Sequence, residues 1–175
     1  MKGGGGKDGK VKRMDRLRES MSKRGIRFIL QAAIIGALYA ALTIFIPFGS
    51  GPVQVRVSEA LTVLPFLTPA AIPGLFVGCI TANLFAGAGS YDVIFGSLAT
   101  LIAAFATYKM PGKYLAPLPP VIVNAVVVAF VLKLSLNAPL FITMGFVAFG
   151  EIIACYLLGL PLLLLLERNA RDIFK

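Results

Sequence analysis

The sequence contains no histidine, only two cysteines and only 8 acidic residues among 175. Without histidine, the chain has neither a histidine metal site nor a histidine general acid or base. Cys79 and Cys155 both lie inside apolar runs, which indicates neither a disulfide framework nor a zinc site. No serine–histidine–aspartate set and no nucleotide-hydrolysis motif occurs in the sequence. These gaps argue against an enzyme, a metal and a cofactor, and the few carboxylates and amides among apolar residues favour binding over catalysis.

Charge is scarce and hydrophobic residues are abundant. Only 14% of the residues are charged, 58% are hydrophobic, and the mean hydropathy is +0.86. A soluble domain of this size needs far more charge for its surface. The apolar runs are long enough for helices that cross a bilayer, which takes about 20 residues per helix. The sequence therefore predicts an integral, all-α membrane protein.

The basic residues are placed unevenly. Ten of the 17 lysines and arginines precede Phe28, two flank a Pro-Gly turn at Lys109 and Lys113, and three close the chain. By the positive-inside rule, both termini and the turn are expected in the cytoplasm, which predicts a multi-pass protein of the cell membrane. We interpret residues 1–25 as a flexible basic arm that can touch anionic lipid, and residues 26–175 as one transmembrane domain. Binding of nucleic acid is not expected, because basic arms beside a membrane commonly only fix topology.

Six transmembrane helices are predicted. If the first helix ends outside and the fourth enters the membrane from outside at Asp92, then residues 59–87 must cross the membrane to the inside and return to the outside. As α-helix they give about 43 Å, whereas two full crossings need about 60 Å. Prolines at positions 65, 69 and 73 also break the segment. The expected helices span residues 26–47, 59–67, 69–86, 92–108, 119–136 and 140–166, with Pro161 interrupting the last.

Helices two and three are therefore expected to be short and broken by proline. Irregular backbone at membrane depth is tolerated only where protein buries it or where it lines a cavity. This constraint predicts a ligand pocket beside residues 59–87.

The first helix has small residues at four-residue spacing. Such a series lets the helix backbone approach another helix closely in lipid. From the residues alone, packing within the chain and docking of a separate membrane subunit are equally open. The two series are Ala32, Gly36 and Ala40, and Ala33, Ala37 and Ala41.

Six polar residues of the apolar region are candidates for ligand binding. A charge near mid-membrane costs about 2.5–3.5 kcal/mol even on permissive scales, which makes Glu151 the strongest of them. Glu59 and Asp92 have a structural alternative, because an acid in the first turn of a helix suits the helix dipole. The amides could simply hydrogen-bond across helices, and an arginine could simply neutralise Glu59. The candidates are Arg56, Glu59, Asn83, Asp92, Asn124 and Glu151.

A set of short motifs is spread over the chain after the basic arm. They are QVRVSEAL at 54–61, LP at 64–65, PAAIPGL at 69–75, GCI at 78–80 with Asn83, DVIFG at 92–96, ATL at 99–101, PP at 119–120 with Asn124, and GE at 150–151. In these motifs the chain resembles the queuosine-precursor transporter family, QueT. Its members are the substrate-binding S components of energy-coupling-factor (ECF) transporters. The basic arm is not part of the resemblance.

The resemblance implies an S-component-like bundle of six helices with a ligand pocket towards the outside. It implies a transmembrane T subunit and two cytoplasmic ATPases as partners, with the small-residue series of the first helix docking on the T subunit. The implied ligand is a 7-deazaguanine such as preQ1, preQ0 or queuine.

The chemistry of such a ligand suits the candidate residues. A carboxylate accepts the paired N–H groups of a guanine-like edge, and a second carboxylate suits the aminomethyl cation of preQ1. Asn83 and Asn124 can orient the ring. Which of Glu59 and Glu151 takes which role stays open, as does whether Arg56 contacts the ligand or holds Glu59.

Two other interpretations also stay open. Pocket composition does not fix the substrate, so the chain could be an S component for another small vitamin-like molecule. Alternatively, it could be a structural or regulatory membrane subunit whose polar residues only hold helices together.

Overall fold

Helices make up nearly all of residues 5–48, 55–87 and 89–169, which are the residues that the computed structural model describes. A short antiparallel pairing of β1 (Pro47–Phe48) with β2 (Val55–Arg56) joins the first two helices. The predicted all-α class is confirmed. The helices are α1 (Gly5–Phe45), α2 (Val57–Phe66), α3 (Ala71–Phe85), α4 (Asp92–Tyr108), α5 (Leu118–Leu136) and α6 (Leu140–Asn169).

Three of these helices are long and apolar enough to cross a membrane. They are the Met21–Phe45 part of α1, all of α5 and all of α6, with mean hydropathies of 2.1, 2.0 and 2.2. Helices α2, α3 and α4 are apolar but shorter. Large hydrophobic side chains such as Phe45 (79% exposed) and Phe141 (84%) face outwards, as expected of a surface in contact with lipid. The chain is a helical membrane protein, and the number of six crossings stays a prediction.

The basic N-terminal segment is continuous with the first long helix. Helix α1 runs without a break through residue 25, and residues 21–30 are all exposed. The division into an arm of residues 1–25 and a domain of residues 26–175 stays a prediction, as does the cytoplasmic location of the termini.

Helices α2 and α3 form the short pair that the length argument predicts. Helix α2 is a 3-10 helix of 10 residues and α3 an α-helix of 15 residues. With rises of about 2.0 and 1.5 Å per residue, they extend over about 20 and 22 Å, and neither reaches the ~30 Å of the hydrocarbon core. The break lies at residues 67–70. Pro65 is inside α2, and Pro73 is in the first turn of α3, where the missing N–H has no helical partner to lose.

Two of the other helices contain wider π-helical turns. One opens α4 at Asp92–Gly96, and the other, Ile153–Gly159, lies in the middle of α6. The irregularity expected at Pro161 thus falls just before the proline, which cannot donate to the carbonyl four residues earlier. Such turns change which side chains face inwards along a helix.

Helices α1 and α3 cross with their backbones in contact. A Cβ atom on Gly36 would lie 2.7 Å from the carbonyl oxygen of Gly74, and one on Gly78 would lie 2.6 Å from the carbonyl oxygen of Gly36. A Cβ on Gly74 would meet the Ala32 carbonyl oxygen at 2.5 Å. Part of the small-residue series of α1 is therefore used for packing within the chain.

Candidate ligand-binding site

A cavity of about 330 Å³ lies between α5 and α6 and is completed by the shorter helices. This volume is within the range of about 300–1,000 Å³ that is typical of small-molecule sites. Residues at four-residue intervals share one face of a helix, and such series form the two long walls. Arg56, Glu59, Cys79, Gly96 and Thr100 contribute to the remaining lining. The wall residues are Asn124, Val128, Leu132 and Leu136 on α5, and Thr143, Val147 and Glu151 on α6.

Glu59, in the first turn of α2, is buried at the cavity wall with 3% of its surface exposed. The hydroxyl of Tyr39 on α1 donates a hydrogen bond of 2.5 Å to its Oε1, and Nδ2 of Asn124 donates one of 3.3 Å to its Oε2. A buried carboxylate is costly unless such donors surround it. Helices α1, α2 and α5 therefore meet at this one carboxylate.

Glu151 reaches the same place from α6. Nδ2 of Asn124 donates to its Oε1 at 3.0 Å, and the thiol of Cys155 donates to its Oε2 at 3.5 Å. A single amide nitrogen thus bridges two acids that are far apart in the sequence. Three of the six candidate residues, Glu59, Asn124 and Glu151, are in direct contact, and their role in binding a ligand stays a prediction.

Arg56 lines the same cavity from the end of β2. Within the part of the chain that the structure describes, no ion pair shorter than 4.0 Å joins Arg56 to Glu59. Tyr39 and Asn124 donate the hydrogen bonds to the Glu59 carboxylate. Whether Arg56 neutralises Glu59 or contacts a ligand stays a prediction. Its guanidinium carries five N–H donors and a fixed positive charge.

The structure places the other two candidates outside the cavity lining. Asn83 on α3 is buried, and its Nδ2 donates to the backbone oxygen of Asp92 at 3.1 Å and to Cys79 Sγ at 3.6 Å. Asp92 is partly exposed in the first turn of α4. The Asn83 contact joins α3 to the π-helical turn of α4. Cys79 on α3 and Gly96 on α4 line the cavity, so this contact helps to position them.

Sequence reasoning missed several residues of the site. Tyr39 is fully buried and bound to Glu59, while Cys79 and Thr100 line the cavity and are joined by a 3.4 Å contact from the threonine hydroxyl to the thiol. One signal was available for Tyr39, because a tyrosine hydroxyl inside an apolar helix must find a hydrogen-bond partner. No comparable signal distinguishes Cys79 or Thr100 from ordinary core residues.

The small residues of α1 divide between a packed edge and an open groove. Ala33 and Ala37 are exposed, Ala32 and Ala41 are half-buried, and Gly36 and Ala40 are buried. The groove runs where α1 crosses α3 and is almost entirely apolar. We name it the α1–α3 groove, and its lining includes Phe28, Ile29, Ala32, Ala33, Gly36, Ala37, Ala40, Pro73, Gly74, Val77, Gly78 and Thr81.

The fold and the site together define a helical membrane protein with a largely apolar cavity the size of a small molecule, which a few acidic, basic and amide side chains also line. A family model described as "QueT transporter" matches residues 29–168, and the chain belongs to this transporter family. The resemblance found in the sequence motifs is thereby confirmed.

A curated relative is similar to part of the chain. It is the queuosine precursor transporter QueT of Lactococcus lactis subsp. cremoris (strain MG1363), which is 36% identical over 85 residues. The aligned stretch covers 47% of this chain and only 50% of the relative, so about half of each protein is compared. No solved structure matches the chain.

Proposed function

We propose that this chain is the substrate-binding membrane subunit, or S component, of an ECF transporter. It captures a queuosine precursor, a 7-deazaguanine such as preQ1, preQ0 or queuine, from outside the cell for ATP-driven uptake. The observation that supports this most strongly is the cavity, whose apolar walls enclose the connected side chains of Glu59, Asn124 and Glu151 and are also lined by Arg56. Membership of the QueT transporter family and the name of the lactococcal relative support the choice of ligand.

The polar groups of the cavity match the hydrogen-bonding groups of a guanine-like base. The base has a ring N–H next to an exocyclic amino group, and an ionised carboxylate accepts such a pair of donors through both its oxygens. The carbonyl oxygen of the base needs a donor, which Arg56 can supply. Val128, Leu132 and Val147 offer apolar surface to the faces of the ring.

The proposal includes a partner for the α1–α3 groove. A transmembrane T subunit docks there, because small residues let a second helix approach the backbone of α1 closely in lipid. Two ATPase subunits on the cytoplasmic side supply the energy for transport. The excess of basic residues before Phe28 and at the chain end supports a cytoplasmic location of both termini.

Thermal unfolding of the detergent-solubilised full chain with a panel of ligands tests the proposal. A ligand that binds only the folded state increases the free energy of unfolding, by about 2.7 kcal/mol when its concentration is a hundred times its Kd. The unfolding temperature rises accordingly. We expect 7-deazaguanines to stabilise the chain and unrelated vitamins to leave it unchanged. Stabilisation by a vitamin alone would indicate an S component for another substrate. Stabilisation by no compound would support a structural subunit.

A further inference from the structure

Asn124 has no hydrogen-bond donor left for a ligand. Its Nδ2 carries two hydrogens, and acids accept at 3.3 Å (Glu59 Oε2) and at 3.0 Å (Glu151 Oε1). The opposite orientation of the amide would point its oxygen at two carboxylates, which accept and do not donate when ionised. Asn124 can therefore offer a ligand only its carbonyl oxygen.

This side of the cavity thus presents mainly hydrogen-bond acceptors to a ligand, and its acidic groups outnumber its basic one. Among the lining residues that the structure describes, Glu59 and Glu151 are acidic and Arg56 is basic. An uncompensated charge in a low-dielectric environment is costly. A ligand that brings a positive charge removes this cost, whereas a neutral or anionic ligand does not.

The two acids differ in how well the protein satisfies them. Glu59 accepts hydrogen bonds from a phenol and an amide, whereas Glu151 accepts one from an amide and one from the thiol of Cys155, which is a weak donor at 3.5 Å. Glu151 is also slightly more exposed than Glu59, 8% against 3%. Glu151 is therefore the carboxylate that gains more from an additional donor.

We infer that the cavity selects a 7-deazaguanine that carries a protonated primary amine, and that Glu151 receives this ammonium group while Glu59 accepts the N–H groups of the base. The inference rests on the proposed function, because it distinguishes among queuosine precursors. An aminomethyl group is protonated at neutral pH, as the amine of lysine is. A nitrile at the same position is neutral and presents only an acceptor to the acids.

Calorimetric titration of the purified full chain with two ligands tests the inference. One is a 7-deazaguanine with an aminomethyl group at carbon 7, and the other carries a nitrile there. We expect the aminomethyl compound to bind at least about tenfold more tightly, which is the effect of one charge-assisted hydrogen bond. Glu151→Gln should remove most of this preference, whereas Glu59→Gln should weaken both ligands. Glu167→Gln, an acid that pairs with Lys113 away from the cavity, is the control and should change neither affinity.

The outcomes separate this inference from the proposed function. If the wild-type chain binds the two compounds with equal affinity, or prefers the nitrile, the inference is overturned. The proposed function survives that result, because a queuosine precursor still binds. Binding of neither compound overturns both. A preference that persists in Glu151→Gln overturns the assignment to Glu151. Should this variant fail to fold, Glu151→Asp keeps the charge on a shorter side chain, and the assignment requires it to weaken the aminomethyl compound more than the nitrile.

Discussion

Tyr39 and Glu59 form the contact that joins the first helix to the cavity. The buried Tyr39 hydroxyl donates to Oε1 of Glu59 at 2.5 Å. One turn later in α1, the hydroxyl of Thr43 donates to that of Ser58 at 2.8 Å. Both bonds connect α1, which lines the α1–α3 groove, to the first turn of α2. The groove and the cavity are therefore connected through a single helix.

Replacing Tyr39 by phenylalanine should weaken ligand binding by about tenfold or more, because a hydrogen bond to a charged group contributes about 1.5–3 kcal/mol. The ring remains in the core, so the fold should persist. Thr43→Val is the matched control, because it removes the other α1–α2 hydrogen bond without touching the carboxylate. Isothermal titration should show weaker binding for Tyr39→Phe alone. Equal affinities of the two variants would contradict a role of Tyr39 in positioning Glu59.

A methyl group at Gly74 should destabilise the helix crossing. A Cβ there would lie 2.5 Å from the carbonyl oxygen of Ala32, so α1 and α3 must move apart. Overpacking of this kind costs about 1–3 kcal/mol. Gly145→Ala is the control, since a Cβ at that position in α6 has no atom within 4 Å. Thermal unfolding in detergent should show a lower midpoint for Gly74→Ala only, and an unchanged midpoint would refute the close crossing.

Asn124→Leu should impair both stability and binding. The substitution keeps an apolar side chain of similar size but leaves Glu59 and Glu151 each one donor short, at a cost of about 1–3 kcal/mol for each buried group. The control variant is Val126→Leu, at a residue that is 49% exposed on the same helix, and it should have little effect. Unfolding curves and ligand titrations of both variants provide the comparison. Normal binding by Asn124→Leu would mean that the bridging amide is unimportant.

The proposed partner of the α1–α3 groove can be tested with a bulky side chain. Ala37→Phe should block co-purification of the T and ATPase subunits, because Ala37 is exposed and lines the groove. Leu38→Phe places the same ring on the next residue, which is 50% exposed but outside the groove lining, and should leave the complex intact. Ligand binding by either isolated variant should be unchanged. A complex that survives Ala37→Phe would place the T subunit elsewhere.

The sequence predicted the helices whose bounds depend on neighbouring residues or whose length is limited by the thickness of the bilayer. The short α2–α3 pair followed from counting residues against membrane thickness, and α4 and α5 lie within one residue of the expected bounds. The 3-10 conformation of α2 was not predicted, because the length argument assumed an α-helical rise. Pro65 and Pro73 were wrongly taken as helix breakers, because Pro65 lies inside α2 and Pro73 lies in the first turn of α3, where a proline is tolerated.

The site was only partly predictable, because its contacts join distant parts of the chain. Glu59 and Glu151 stood out as costly charges, yet nothing in the sequence indicates that one amide, Asn124, bridges them. Asn83 looked equally suitable, but it lies on a face of α3 that reaches Asp92 rather than the cavity lining. Which intramembrane amide faces a cavity depends on how helices rotate against each other, and spacing along one helix does not determine this.

The most direct test of the account is to fill the cavity. Val147→Trp adds a large ring to the α6 wall of the cavity. Phe149→Trp only enlarges the ring of a side chain two residues away, which is 57% exposed and outside the lining. Titration of both folded variants with the aminomethyl 7-deazaguanine is the measurement. The account predicts that Val147→Trp no longer binds and that Phe149→Trp binds like the wild type. Wild-type affinity in Val147→Trp would show that the ligand binds outside this cavity.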